Sequence, residues 1–260
     1  MAIFNLALKN FKSIGKNYLL LGFLILIPIM QLYMIHVITN NANAAAAVVY
    51  ESFVDVIFTS KVSYINLMQA YTAGILVQFI LLTGMIAGSA IVGERESNTM
   101  LRLYSAPISR LKLLFGILLG HSTVILLVAA SIIAAAALFF DVSWGASWIN
   151  VIIVTLAAIL TAAAMAFLIS GIFKSSKVAG GVMSIVVIGM TFLSGGIIQS
   201  ESLDIISNFT INKWISEAYL MLMQGKGIQD IMSNLIILAL LSITMLLAAS
   251  MIYRRENIYE

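Results

Sequence analysis

The sequence predicts an all-α, polytopic membrane protein: six transmembrane helices, an N-terminal amphipathic interfacial helix, and a re-entrant helical hairpin before span six. Three observations predict it. Of 260 residues, 62% are hydrophobic and only 10% charged, with a mean hydropathy of +1.06; soluble domains carry about 25% charged residues. Six apolar runs reach the length of about 20 residues that a crossing needs. The basic residues also segregate by loop: eleven of the fourteen Lys and Arg fall on one side of that six-span topology.

The elements follow in order. In residues 1–17, Phe4, Ala7, Leu8, Phe11 and Ile14 fall on one helical face, with Asn5, Lys9, Lys12 and Lys16 opposite. Such a helix lies in the headgroup layer, with Phe4 and Phe11 buried and the lysines meeting lipid phosphates. The spans run over 18–38, 71–92, 111–140, 148–173, 178–198 and 231–253, and the whole of 1–260 is one membrane domain. Ala42-Asn43-Ala44 imitates a signal-peptidase site, but the preceding apolar run exceeds a signal core of about 7–15 residues, so no cleavage is expected. Residues 39–69 are moderately polar, with room for a short helix. Residues 199–230 are too polar to span. There "LDIISNF" and "WISEAYLMLMQG" read as short interfacial or re-entrant helices, with Trp214 and Tyr219 suited to the headgroup level and Glu217 beside them.

Lys9, Lys12, Lys16, Arg95, Arg102, Arg110, Lys112, Lys174, Lys177, Arg254 and Arg255 lie on one side. Lys61, Lys213 and Lys226 face seven acids on the other. The positive-inside rule then expects both termini in the cytoplasm. The chain has no Cys, which removes disulfides and thiolate metal sites. The spans hold almost no ionisable residue, unlike intramembrane enzymes and ion-coupled carriers. His36 and His121 read as packing residues. "GILLGHST" (116–123) imitates a phosphate-binding loop but has one spacer too few and His121 where Lys is required, so no ATP site is expected in this chain. Gly84/Gly88 and Gly116/Gly120 have small-xxx-small spacing, which serves intramolecular packing or dimerisation equally.

One stretch stands apart. "GERESNTMLRLYSAPISR" (93–110) carries five of the 25 charged residues. Each would cost about 2.5–3.5 kcal/mol at the bilayer centre, so the stretch belongs in the cytoplasm or its interface. Glu94 and Glu96 suit the positive end of a helix that begins there. Met100, Leu103 and Tyr104 then form an apolar patch beside Arg102, and Pro107 opens the next helix. A plain connector needs only a few residues. This one is longer and offers apolar side chains to the cytosol, as a docking surface does.

The stretch "GERESNTMLRLYSAPISRLKLLFGILLG" (93–120) resembles the signature region of the type-2 ABC exporter permeases. Glu94, Arg95, Glu96, Thr99, Leu103, Pro107, Ser109 and Arg110 carry the resemblance, which departs at "TINKW" (210–214), where the family often places Pro. The resemblance implies a separate ABC ATPase subunit that binds ATP and Mg. Residues Glu94, Arg95, Glu96, Thr99, Arg102, Leu103, Tyr104, Pro107 and Arg110 would form the coupling helix seated on it. It further implies a second permease chain, identical or paralogous; the Ile-, Asn- and Lys-leaning composition points to a bacterial plasma membrane, and no nucleic-acid partner is expected. Sparse charge within the spans fits efflux of a hydrophobic or amphipathic cargo: a lipid-like compound, a peptide antibiotic or a drug, as in antibiotic resistance. The alternative is a membrane scaffold or sensor that uses the same ATPase without transport.

Overall fold

Inside a bilayer the backbone has no water to bond, so each span must satisfy its own amides, which selects helices. A computed structural model describes residues 18–49, 67–97, 110–194 and 204–256, and among these every regular element is a helix. They are α1 (Tyr18–Val49), α2 (Leu67–Glu96), α3 (Arg110–Phe139), α4 (Trp148–Ile172), α5 (Ser176–Leu193), α6 (Asp204–Ser207), α7 (Ile211–Met223) and α8 (Met232–Glu256). Six of them, α1 to α5 and α8, contain stretches long and apolar enough to cross a membrane. The amphipathic segment 1–17 lies outside the described residues, as do 50–66, 98–109, 195–203 and 257–260.

Two helices run past the ends that hydropathy suggests. Helix α1 continues from 38 to Val49 through an Asn- and Ala-rich stretch, because Ala propagates a helix even where the chain has left the apolar run. Helix α2 continues through Gly93 to Glu96. The imitation phosphate loop, residues 116–123, lies within the continuous helix α3. Its amides belong to a helix interior and form no loop that could cradle a phosphate.

Helix α2 is the centre of the bundle. Most of its spanning window is buried (72%), against 17% for α1, α5 and α8, and it packs on α1, α3, α4, α5 and α7. Its most intimate partner is α4. A Cβ placed on Gly84 would lie 2.9 Å from both the Cβ and the carbonyl oxygen of Ala162, and one on Gly88 would lie 2.9 Å from the carbonyl oxygen of Ala166. The Gly84/Gly88 spacing therefore serves packing within the chain. Large apolar side chains point outward instead, among them Phe23 and Met30 on α1, Ile185 and Phe192 on α5, and Leu240 and Leu247 on α8. Between α4 and α8 the Thr161 and Ser242 hydroxyls meet at 3.0 Å.

Contacts at the helix ends define two faces. Gln69, at the start of α2, donates to the Ser143 carbonyl just beyond α3 (3.3 Å). On α1, His36 lies 5.5 Å from the Phe140 ring and 3.0 Å from Asn40 Nδ2, so it serves packing. Helices α1, α2 and α3 therefore alternate in direction. The end of α2 and the start of α3 share one face, joined there by the ends of α4 and α8 and the start of α5. At this face lie Arg95, Lys174 and Lys177, together with the chain positions of Arg110, Lys112, Arg254 and Arg255. The opposite face has Asp141, Glu217 and Asp230 with Lys213 and Lys226.

The α2–α4 contact sets a prediction. Replacing Gly84 or Gly88 by Val drives a side chain into backbone, and overpacking of this kind costs about 1–3 kcal/mol. The thermal unfolding midpoint of the detergent-purified protein will fall for both variants. It will not fall for Gly181→Ala, where a Cβ meets nothing within 4 Å.

Candidate functional site

The root of the polar stretch lies in the last turn of α2, not the first turn of a new helix. The Ser97 amide bonds the Gly93 carbonyl at 3.0 Å, and its hydroxyl bonds the same oxygen at 2.9 Å, so the helical ladder carries through Glu94, Arg95 and Glu96. The sequence-based placing of Glu94 and Glu96 at a helix start is thereby corrected. An acid does meet a positive helix end here, but that end belongs to α5. The Ser176 hydroxyl, on the first residue of α5, donates to Glu96 Oε2 at 2.6 Å. A carboxylate at a helix N-terminus is favourable because the unpaired amides there carry partial positive charge.

Arg95 makes the complementary contact. Its Nη1 donates to the Ser170 carbonyl at 2.6 Å, in the last turn of α4. The neighbouring Ile169 carbonyl is taken by the Phe173 amide at 3.0 Å. The guanidinium thus satisfies one of the final-turn carbonyls that a helix leaves open, and places a cation at the negative end of its dipole. The same guanidinium lies 5.6 Å above the Tyr253 ring of α8, a cation–π distance. Tyr253 stacks on Phe167, with centroids 5.0 Å apart. The Ser170 hydroxyl bonds the Phe167 carbonyl (2.8 Å) and lies 2.8 Å from the Tyr253 hydroxyl, a pair in which either hydroxyl can donate.

One turn of α2 is therefore joined to α4, α5 and α8. Ser170, Ser176, Phe167 and Tyr253 carried no functional assignment in the sequence. The one available signal was position: each lies within a turn or two of a span end beside a basic residue. Glu94 is half-buried in the same turn. Thr99, Arg102, Leu103, Tyr104 and Pro107 lie outside the described residues, as do Phe4, Lys9, Phe11, Lys12 and Lys16. Arg110 is the first residue of α3.

The opposite face is organised by α7, which packs on α2, α4, α5 and α8. Thr210 caps it, accepting the Lys213 amide at 3.4 Å. Tyr219 points into the protein instead of toward headgroups. It is fully buried, set edge-on to Trp144 with centroids 5.8 Å apart and 2.8 Å from the Thr155 hydroxyl. Burial pushes the phenol above its ordinary pKa, partly offset by that hydrogen bond, so it stays protonated. Trp144 is brought there by Gly145, whose φ of +87° suits glycine and where a Cβ would collide with the Leu222 carbonyl. Asn212 reaches Thr191 of α5 at 2.8 Å. Asn234 of α8 reaches Glu217 Oε2 and the Trp214 carbonyl, each at 3.1 Å. Trp214 itself donates to the Asn208 carbonyl at 2.9 Å.

A family model described as ABC-2 family transporter protein matches residues 3–251, nearly the whole chain. The chain belongs to the ABC-2 transporter family. No individually curated protein matches it. Membership together with six apolar helices makes this a multi-pass membrane permease. Within an ABC-2 transporter the permease works with an ABC ATPase, and family membership implies such a partner here.

The α7 contacts yield a second prediction. Tyr219→Phe removes one buried hydrogen bond, worth about 0.5–1.5 kcal/mol net, because Thr155 keeps its own bond to the Val151 carbonyl at 2.7 Å. Trp144→Ala removes the ring that covers Tyr219 and costs about 3–5 kcal/mol. Thermal unfolding in detergent will rank them wild type, then Tyr219→Phe, then Trp144→Ala.

Proposed function

We propose that this ABC-2 permease is the membrane subunit of an exporter driven by a separate ATPase that binds ATP and Mg. The observation that supports this reading most is the placement of the polar stretch. It leaves the most buried helix of the bundle at the basic face and returns directly into α3. A load on residues 98–109 thus acts on the centre of the protein, as coupling requires. Thr99, Arg102, Leu103, Tyr104, Pro107 and Arg110 are the proposed docking residues, with Glu94, Arg95 and Glu96 at their root.

In this reading the basic face and both termini are cytoplasmic, as the positive-inside rule asks. Residues 1–17 lie along that surface, with Phe4 and Phe11 in the acyl boundary and Lys9, Lys12 and Lys16 toward phosphates. Residues 199–230 form a re-entrant hairpin from the external side. Its helix α7 owes its depth to the buried Tyr219, Asn212 and the α8 partner Asn234. Two permease chains, identical or paralogous, enclose the path. Spans with buried hydroxyls and few charges suit a hydrophobic or amphipathic cargo, such as a lipid-like compound, a peptide antibiotic or a drug.

Co-expression with an ABC ATPase tests the docking. Arg102→Glu with Leu103→Asp will lower recovery of the ATPase on affinity-purified permease by about tenfold or more, the effect of about 1.4 kcal/mol. Undiminished recovery rejects the docking surface. Inside-out vesicles that hydrolyse ATP yet accumulate none of a panel of amphipathic fluorescent dyes would favour a scaffold or sensor over an exporter.

A further inference from the structure

We infer that Arg95 and Glu96 are positioning residues, not ATPase contacts: they bind the basic-face ends of α2, α4, α5 and α8 into one rigid body. A push on residues 98–109 then moves four helices together instead of bending α2 alone. This rests on the permease reading above and names which part of the coupling segment transmits and which part docks.

Three observations carry it. First, both side chains are already committed within the chain: Arg95 to the Ser170 carbonyl and the Tyr253 ring, Glu96 to the Ser176 hydroxyl. Second, those contacts use opposite helix polarities. A cation sits on the end of α4 and an anion on the start of α5, so each contact reinforces the helix that it grips. Third, the same four helices are gathered again at the far face by α7, through Thr155 of α4, Thr191 of α5, Asn234 of α8 and packing against α2. Midway, Gly84 and Gly88 press on α4, and Thr161 meets Ser242 of α8. A body tied at both ends and in the middle transmits displacement along its length. Helix α2 alone is about 45 Å long.

The absence of cysteine permits a direct test. A Cβ built on Gly93 lies 3.6 Å from the Ser176 Cβ, within the range of about 3.5–4.5 Å that a disulfide spans. Gly93→Cys with Ser176→Cys, oxidised in the reconstituted complex with its ATPase, replaces the Glu96–Ser176 contact by a covalent one. A rigid body tolerates that tie: ATP hydrolysis by the oxidised complex will stay within about twofold of the reduced complex. A loss of about tenfold that reductant restores would show that these ends must separate, and would overturn the inference.

Arg95→Ala supplies the second arm. The ATPase will still co-purify, but ATP will no longer change the maleimide labelling rate of Gln224→Cys, an exposed position at the far face. Arg95→Lys and Tyr253→Phe, which keep the cation and the ring respectively, will retain part of that response. If Arg95→Ala sheds the ATPase as Arg102→Glu with Leu103→Asp does, Arg95 is a docking residue and this inference fails while the permease reading stands. If the wild-type chain recovers no ATPase, both fail together.

Discussion

The backbones of α2 and α4 approach so closely at Gly84 and Gly88 that Ala162 and Ala166 fill all the space between them. Everything else in the bundle is arranged around that contact. In a bilayer, helices gain little from hiding apolar side chains, because lipid is as apolar as they are. What remains is dispersion at short range and hydrogen bonding, and both reward close approach. Small residues at the α2–α4 seam turn two spans into an axis. Helices α1, α5 and α8 present large side chains such as Phe23, Ile185 and Leu240 outward, while α2 itself buries Leu76, Ile80 and Leu81.

Hydrogen bonding follows a corresponding division. Along the spans, buried hydroxyls mostly bond back to their own helix: Thr72 to the Met68 carbonyl, Thr83 to Phe79 and Thr191 to Val187. Such bonds satisfy the group without choosing a neighbour. Bonds that do choose a neighbour concentrate near the helix ends, where free carbonyls and amides remain to be met. Ser170 meets Arg95 and Tyr253 on one face, while Asn234 and Tyr219 join α8 and α4 to α7 on the other. Dispersion therefore dominates the middle of the bundle, where the Thr161–Ser242 pair adds one polar tie, and polar contacts fix its two ends.

That division explains what could be read from the sequence. The spans were legible because hydropathy reports partitioning into lipid, one residue at a time. Helix ends were less legible because the backbone ladder ignores the membrane boundary: Ala carries α1 to Val49, and nothing interrupts α2 before Glu96. The spacing of Gly84 and Gly88 marked a close contact but could not say with which helix. Glu96 was read with the right chemistry, an acid at a positive helix end, and the wrong helix, because α5 arrives there only through folding. Tyr219 looked interfacial by residue type. Its burial depends on Trp144, carried in by a turn at Gly145 whose meaning lies in the Leu222 carbonyl beside it.

The order of the charges Arg95 and Glu96 has a geometric reason. Adjacent residues on a helix diverge by about 100°, so the two side chains cannot serve one partner and must reach different neighbours. On one side lies the end of α4, which offers a carbonyl and calls for a cation. On the other lies the start of α5, which offers donors and calls for an anion. Helix direction thus decides which sign belongs at which position. The connection between α4 and α5 is short, residues 173–175, so those opposite polarities are presented side by side at one level of the membrane. A single turn of α2 with a base followed by an acid matches both at once. This makes the root of the polar stretch a structural joint between α2, α4 and α5.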